Sequence, residues 1–392
     1  MINKEIEKSL HLLRSYIESE KFKGYDPYDV LNSPIPLLKM GKWAPIIATQ
    51  IQKRNPLNLR PAIGIKKDYN PKGLGLMLHS YSLISGINNS NYNIQIEELL
   101  QLLNSLKTDG YAGTCWGYNF GWASPEKYLA PYSPTSVVTG FICKGLFAAY
   151  QSTQREDIKN IIISIAPFVL IELGRINDES GICISYSTKK QDCCYNASLL
   201  AGEILSILYL LTNQNEYKEL AIQTVNFVVS KQHADGHWAY SKSLITGIER
   251  TQTDFHQGFV IESIYNIISR LNYNNITIDS SLELGMKFYL EKQFSIEGRS
   301  FFRLPKKFPT DIHHQAQGII TICRYIPGLK KNIPVAEKMA IWAIQNMQDK
   351  KTGAFIYRKG KHISDNTKYI RWGQAWMFLA LSELVKAKST IQ

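Results

Sequence analysis

Two short segments of this chain carry nearly the same residues in the same order: Thr253-Asp254-Phe255-His256-Gln257 and Thr310-Asp311-Ile312-His313-His314-Gln315. Three of the chain's eight histidines fall within them. Each segment leads into an apolar stretch with helical spacing. A Thr or Asp at such a place is a preferred N-cap, because its oxygens accept backbone N–H groups that the first turn leaves unpaired. An imidazole there titrates near neutrality. His256 with His313 or His314 could therefore add and remove protons on opposite faces of a substrate carbon. Capping is the competing role for Asp254 and Asp311, and a hydrogen bond between helical hairpins is the competing role for the histidines. Successive helical residues point roughly 100° apart, so His313 and His314 cannot both face one spot.

Two further lead-ins belong with these. Gln191-Asp192-Cys193-Cys194-Tyr195-Asn196 precedes the first segment by about the same interval that separates the two segments, and the last lead-in reads Arg371-Trp372-Gly373-Gln374. Asp192, Tyr195, Asn196, Gln257, Gln317, Arg371, Trp372 and Gln374 are accordingly candidate substrate-binding residues. The Gly-rich run from Trp116 to Trp122 reads as a loop and adds Trp116, Tyr118 and Trp122, whose rings suit sugar faces. Trp238, Phe301 and Phe355 are expected to staple hairpins together instead. Arg303, Arg358 and Arg371 are candidates to clamp a carboxylate by paired hydrogen bonds. Hydrolysis would call for two carboxylates at the site, and Asp192, Asp254, Asp311 and Glu203 are the supply. Combining the histidines with Asp254, Asp311 or Cys194 reproduces no compact zinc spacing, so neither a metal nor another cofactor is expected.

The elements that must position these residues follow a repeat. A helix end, a glycine turn, an aromatic or apolar residue and a short extended piece recur around Gly113, Gly181, Gly236, Gly298 and Gly353, with a weaker copy around Gly41. A period of roughly 60 residues fits two helices and their loops. Glycine suits a helix end where the backbone turns with positive φ. Charged amphipathic helices are predicted before each turn, at 97–106, 158–173, 217–231, 281–293 and 335–348. More apolar helices with small residues follow, from Ser136, Asn196, His256, His314 and Arg371. The first set suits an outer ring and the second an inner one. The expected fold is all-α, an (α/α)6 toroid of about six helical hairpins, although an open solenoid would share the local pattern. One domain over 1–392 is expected, with 1–40 as a helical extension packed on it.

Composition narrows the function. The net charge of +12 favours acidic partners. The basic residues are scattered or sit in loop clusters such as Lys189-Lys190 and Lys306-Lys307, so no nucleic-acid motif arises. The N-terminus lacks an apolar signal core, and the longest apolar run, Ile161 to Leu173, is too short to span a bilayer. A cytoplasmic protein with free thiols and no integral membrane association is expected; oligomeric state is left open.

The turns QHADGHWAYS and QDKKTGAFIYR resemble the Gln…Gly-x-Trp/Phe repeats of terpenoid cyclase toroids. They equally resemble the DG-x-W turns of six-hairpin glycan enzymes, including unsaturated glucuronyl hydrolases and sugar epimerases. DFHQGFVIESI is similar to a motif in toroid proteins encoded among bacterial surface-polysaccharide genes. The chain lacks the D-x-D-D acid of class II terpene cyclases, and Cys193-Cys194-Tyr195-Asn196 does not reproduce the zinc ligands of lanthionine cyclases. The resemblance therefore implies a carbohydrate-active enzyme of epimerase, lyase or hydrolase type, acting on an acidic sugar in cell-surface polysaccharide metabolism. A terpenoid-cyclase-like enzyme on an isoprenoid or lipid-linked substrate, or a non-catalytic glycan-binding scaffold, are the alternatives.

Overall fold

A computed structural model describes residues 3–391, apart from 88–89, 126–127 and 190; Lys190 of the basic loop pair thus lies outside the described residues. Among these there are thirteen α-helices. In chain order they are α1 (Lys4–Ser19), α2 (Trp43–Arg54), α3 (Pro71–Ile84), α4 (Asn93–Ser105), α5 (Ser136–Thr153), α6 (Glu156–Ile163) and α7 (Tyr195–Thr212). They continue with α8 (Asn215–Val229), α9 (His256–Arg270), α10 (Ile276–Gln293), α11 (Ile312–Arg324), α12 (Ile326–Met347) and α13 (Trp376–Ile391). Six of them, α3, α5, α7, α9, α11 and α13, form an inner ring. Each packs on the next, and α13 packs back on α3, so the ring is closed. Helices α4, α6, α8, α10 and α12 pair with the first five from outside, and α1 packs on α12 and α13 to take the sixth outer place. The two ends of the chain thus build one hairpin.

Composition explains which helix goes where. Every residue of α5 from Ser136 to Ala149, and of α7 from Tyr195 to Leu208, is buried. A helix buried on all sides is a core helix or a membrane span, and the neighbours packed around these two make them core helices. By length and composition α7 could cross a bilayer, but here it is an inner stave of the ring. The outer helices carry narrower apolar stripes, as in α1 with Ile6, Leu13 and Ile17.

The glycine repeat has a structural cause. Gly113, Gly181, Gly236, Gly298 and Gly353 all have positive φ. A Cβ on Gly236 would lie 2.5 Å from the Leu284 carbonyl of α10, and one on Gly353 would lie 2.6 Å from the Leu12 carbonyl of α1. Each turn therefore presses its backbone against the following outer helix, and only glycine permits it. Gly41 shares the positive φ but not the packing: a Cβ there would meet nothing within 4 Å, and the helix after it, α2, belongs to neither ring. The first inner helix is α3, which no turn of this kind precedes.

A second repeat fastens each turn to its inner helix. Gln257 accepts the Trp238 N–H at 3.0 Å and donates to the Trp238 carbonyl at 2.6 Å. Gln374 does the same to Phe355, at 2.8 and 2.7 Å. Gln315 accepts from Ser300 and donates to Gly298, at 2.8 and 2.6 Å. Thr139 on Trp116 and Ser198 on Ile184 hold the earlier places. Thr139, Ser198, Gln257, Gln315 and Gln374 thus recur once per hairpin, at nearly equal steps along the chain. Gln257 and Gln374, expected at the substrate, are spent on this fastening.

Further along their length the inner helices meet in a largely buried ionic cluster. It comprises Lys144, Glu203, Glu262, Arg270, Arg324 and Glu383, with His79, kept neutral by burial and by Arg324, beside them. Lys144 binds Glu203 at 2.9 Å and Glu262 at 2.5 Å; Arg324 pairs with Glu262 and with Glu383; Arg270 joins Glu203 at 3.0 Å. Gln317, another residue expected at the substrate, donates to Glu262 at 2.9 Å. Glu203, counted above as a catalytic carboxylate, is locked here as well. Burial opposes charge on Glu262, but Arg324 and Lys144 outweigh it and bring the carboxyl down to about 2.

Candidate active site

A cavity of about 620 Å³ opens where the inner helices begin, walled by five of them and by the turn that leads into the sixth. Lys72 comes from α3, Val137 from α5, Asn196 from α7, His256 from α9, His313 from α11, and Arg371 and Trp372 from the turn before α13. Six helix N-termini converging on one space favour negative charge within it.

Asp254 and Asp311 stand in similar places one repeat apart. Each accepts the backbone N–H two residues on, at 3.2 Å from His256 and 3.1 Å from His313; Asp311 is thereby the N-cap of α11, whereas Asp254 lies one residue before the α9 N-cap, Phe255. Each also binds an arginine from the following turn: Arg303 at 3.3 Å and Arg358 at 3.0 Å. The second pair is aligned by a two-residue strand pairing of Thr310–Asp311 with Arg358–Lys359. Capping and site chemistry, posed as alternatives, coexist.

The two histidines then diverge. His256 Nδ1 lies 2.5 Å from Asp254 Oδ1, which leaves Nε2 without a protein partner among the described residues. Burial alone would raise the Asp254 carboxyl, but His256 and Arg303 hold it below the usual range. An ionised aspartate on Nδ1 keeps that proton in place and makes Nε2 the working nitrogen. At Asp311 the equivalent oxygen is taken by the Trp372 indole at 2.8 Å. His313 consequently has no hydrogen bond on either ring nitrogen, although it is 2% exposed. Burial, reinforced by Lys72 and Arg371, holds its pKa well below the ordinary value, so it is neutral near pH 7. The Phe255 ring lies between the two imidazoles, 4.2 Å from His256 and 4.3 Å from His313. On its other face His313 stacks on Trp376 at 4.5 Å.

His314 points elsewhere. It bonds the Phe301 carbonyl at 2.7 Å and Gln293 at 3.1 Å, under α10, and burial lowers its pKa to about 4. It is a packing histidine and is withdrawn from the candidate catalytic set. Trp116 is likewise a staple: its indole donates to Leu103 at the end of α4, as Trp238 does to Val228 at the end of α8. Tyr195 is buried with its hydroxyl on Glu249, and Asp192 accepts the Tyr186 N–H; neither lines the cavity. Tyr118, Trp122, Asn196, Arg371 and Trp372 do line it, with His256, His313, Asp254 and Asp311. Arg371 is held by Asp26 through Nε and Nη2, at 2.6 and 2.8 Å, and shapes the wall by lying over Tyr118 and Trp372.

Lys72 is the residue that sequence reasoning missed. Its ammonium lies 4.1 Å from the Phe141 ring centroid and 5.1 Å from that of Trp376, and the residue is 3% exposed. Burial, then Arg371, hold its pKa well below the ordinary value, against a pull from Asp26. The signal was a lone lysine at the start of an otherwise apolar helix. Eight Lys or Arg line the cavity against two carboxylates, both of which are paired. Such a lining suits an acidic ligand better than a hydrocarbon. No group of three or more His, Cys, Asp or Glu among the described residues could hold a metal ion.

No family model matches this sequence, and no curated protein sequence does. Solved structures do match. A cellobiose 2-epimerase from Bacillus thermoamylovorans superposes with TM-score 0.67 at 11% identity, over 83% of this chain and 90% of its own. A GH76 alpha-mannanase from Bacteroides thetaiotaomicron gives 0.64 at 16%, over 82% and 87%. An unsaturated glucuronyl hydrolase specific for heparin gives 0.64 at 12%, over 98% and 97%. The chain is an (α/α)6 toroid. At these identities the likeness is one of fold, and the toroid's chemistry rests on its own residues.

Proposed function

We propose that this toroid is a carbohydrate-active enzyme that moves a proton at a carbon of an acidic sugar, as an epimerase or a lyase. The observation that carries the reading is a pair of imidazoles, His256 fixed by Asp254 and His313 free on both nitrogens, at one cation-lined cavity. His313 is neutral and unpaired, and a sugar carboxylate that offsets Lys72 and Arg371 would raise its basicity enough to take a proton; His256 Nε2 lies on the other side of Phe255. Arg303 and Arg358 keep guanidinium N–H groups beyond those given to the aspartates, and these can hold the sugar carboxylate. A carboxylate beside the reacting carbon acidifies its C–H bond. Hydrolysis is less well supported, because both lining carboxylates are bound to arginine. The epimerase, mannanase and glucuronyl hydrolase with this fold support a sugar substrate without choosing the reaction. The reading takes 1–392 as one domain, and six buried cysteines without a bridge support a reducing, cytoplasmic setting.

The test is incubation with uronate-containing oligosaccharides in deuterium oxide. Deuterium entering a carbon-bound position marks epimerisation, and new unsaturation marks elimination. His256→Ala and His313→Gln should each lower either signal about 10²–10⁴-fold with unchanged circular dichroism. New reducing ends without deuterium or unsaturation would refute proton transfer at carbon.

A further inference from the structure

Residues 30–67 hold seven Lys or Arg and not one Asp or Glu. Arg60 is buried on Asp29 and Lys67 pairs with Glu20, which leaves Lys39, Lys42, Lys53, Arg54 and Lys66 without a carboxylate among the described residues. Helix α2 lies in the middle of this stretch. Its Pro45 and Thr49 face the protein, where the helix packs on the turn at residues 29–32. The opposite face carries Trp43, Ile47 and Ile51 at four-residue spacing, 57%, 53% and 63% exposed. Met40 continues the row before the helix, and Leu38 and Leu57 flank it, all exposed. Single exposed apolar residues need no explanation, but a contiguous row bordered by cations does.

We propose that this face binds an anionic membrane surface, with α2 lying in the headgroup layer and its Trp-Ile-Ile row turned toward the acyl chains. An aromatic and aliphatic row beside Lys and Arg is the make-up of helices that lie in that plane. Lipid phosphates supply the negative charge that the segment lacks, and each nearby cation strengthens the attraction several-fold. A second copy of the same face would bring two acid-free, cationic surfaces together, so charge opposes self-association here. Gln50, Lys53 and Arg54 of this helix also line the cavity, so docking sets its mouth against the headgroups. The inference does not depend on which reaction the site performs.

Flotation of the full chain with vesicles tests it. Binding to mixed phosphatidylglycerol–phosphatidylcholine vesicles is expected to exceed binding to pure phosphatidylcholine by about tenfold and to weaken as salt is raised. Ile47→Asp with Ile51→Asp should weaken it about a hundredfold while circular dichroism is unchanged, because both side chains point away from the core. Lys39→Gln with Lys42→Gln should weaken binding to the anionic vesicles alone. The proposal is overturned if the chain does not float with anionic vesicles, or if the aspartate variant floats as well as the parent. A dimer in sedimentation that the aspartate substitutions dissolve would also overturn it, by assigning the row to a second copy.

Discussion

His256 and His313 occupy equivalent positions in successive repeats, and one neighbouring indole makes them different. Where Asp254 takes the His256 ring, Asp311 takes Trp372 and leaves His313 unpaired. Lys72 sits on the same floor as a buried amine with rings around it and no carboxylate of its own among the described residues. Replacing it by Met should therefore stabilise the fold by about 1–2 kcal/mol, read as a higher melting temperature, while turnover is lost. The buried histidines set a pH window. The His314 pKa falls to about 4 in the folded chain, so the unfolded chain binds more protons between there and the ordinary value near 6.5. Stability from this group is complete above that upper value and is lost as pH falls through the window. Melting temperature should drop between pH 7 and pH 5, and His314→Gln should flatten the drop. At this scale the Asp-x-His spacing was legible, because a repeated polar pair before an apolar helix stands out. Which of His313 and His314 faces the cavity was not, since it depends on how α11 is turned against Phe255, Gln293 and Trp376, all distant in sequence. Lys72 was hidden because the turn before α3 lacks the glycine signature.

The glycine turns are the elements that carry the repeat, and they are where the fold is least tolerant. Gly353 combines positive φ with the closest approach of the last turn to α1. Gly353→Ala, which adds a clash to the backbone strain, should cost about 2–4 kcal/mol in chemical denaturation, whereas Gly41→Ala, with φ +92° but open space around it, should cost only the backbone strain of about 1–2 kcal/mol. The outer and inner helices were readable from apolar periodicity and small residues, as α4 to α12 show. The fastening residues were not separable from substrate contacts. Gln257 and Gln374 sit just inside helix starts, where a polar side chain looks equally suited to a ligand or to a neighbouring backbone. The deciding fact is that Trp238 and Phe355 present an unpaired N–H and C=O to them, and only the packed hairpin supplies those groups.

For the whole molecule, closure is what brings residues from Lys72 to Trp372 around one space. Six-fold repetition suggested the ring, but the partner of α13 could not be read locally, because it is α1 at the other end of the chain. The buried charges that join the inner helices are present in the sequence as equal steps from Lys144 to Glu203 to Glu262, but single charges in apolar helices look accidental until the ring closes. Such a network adds little net stability, but it disfavours any register in which a charge loses its partner. The upper cavity then has a fixed shape, with cations and two imidazoles on its wall. The most direct measurement is a crystal structure of the His256→Ala chain with a uronate oligosaccharide bound. The expected density places a sugar carboxylate on Arg303 or Arg358 and a ring carbon beside His313, opposite the vacated imidazole position. Density outside the cavity, or a sugar whose carboxylate faces away from both arginines, would contradict proton transfer on an acidic sugar at this site.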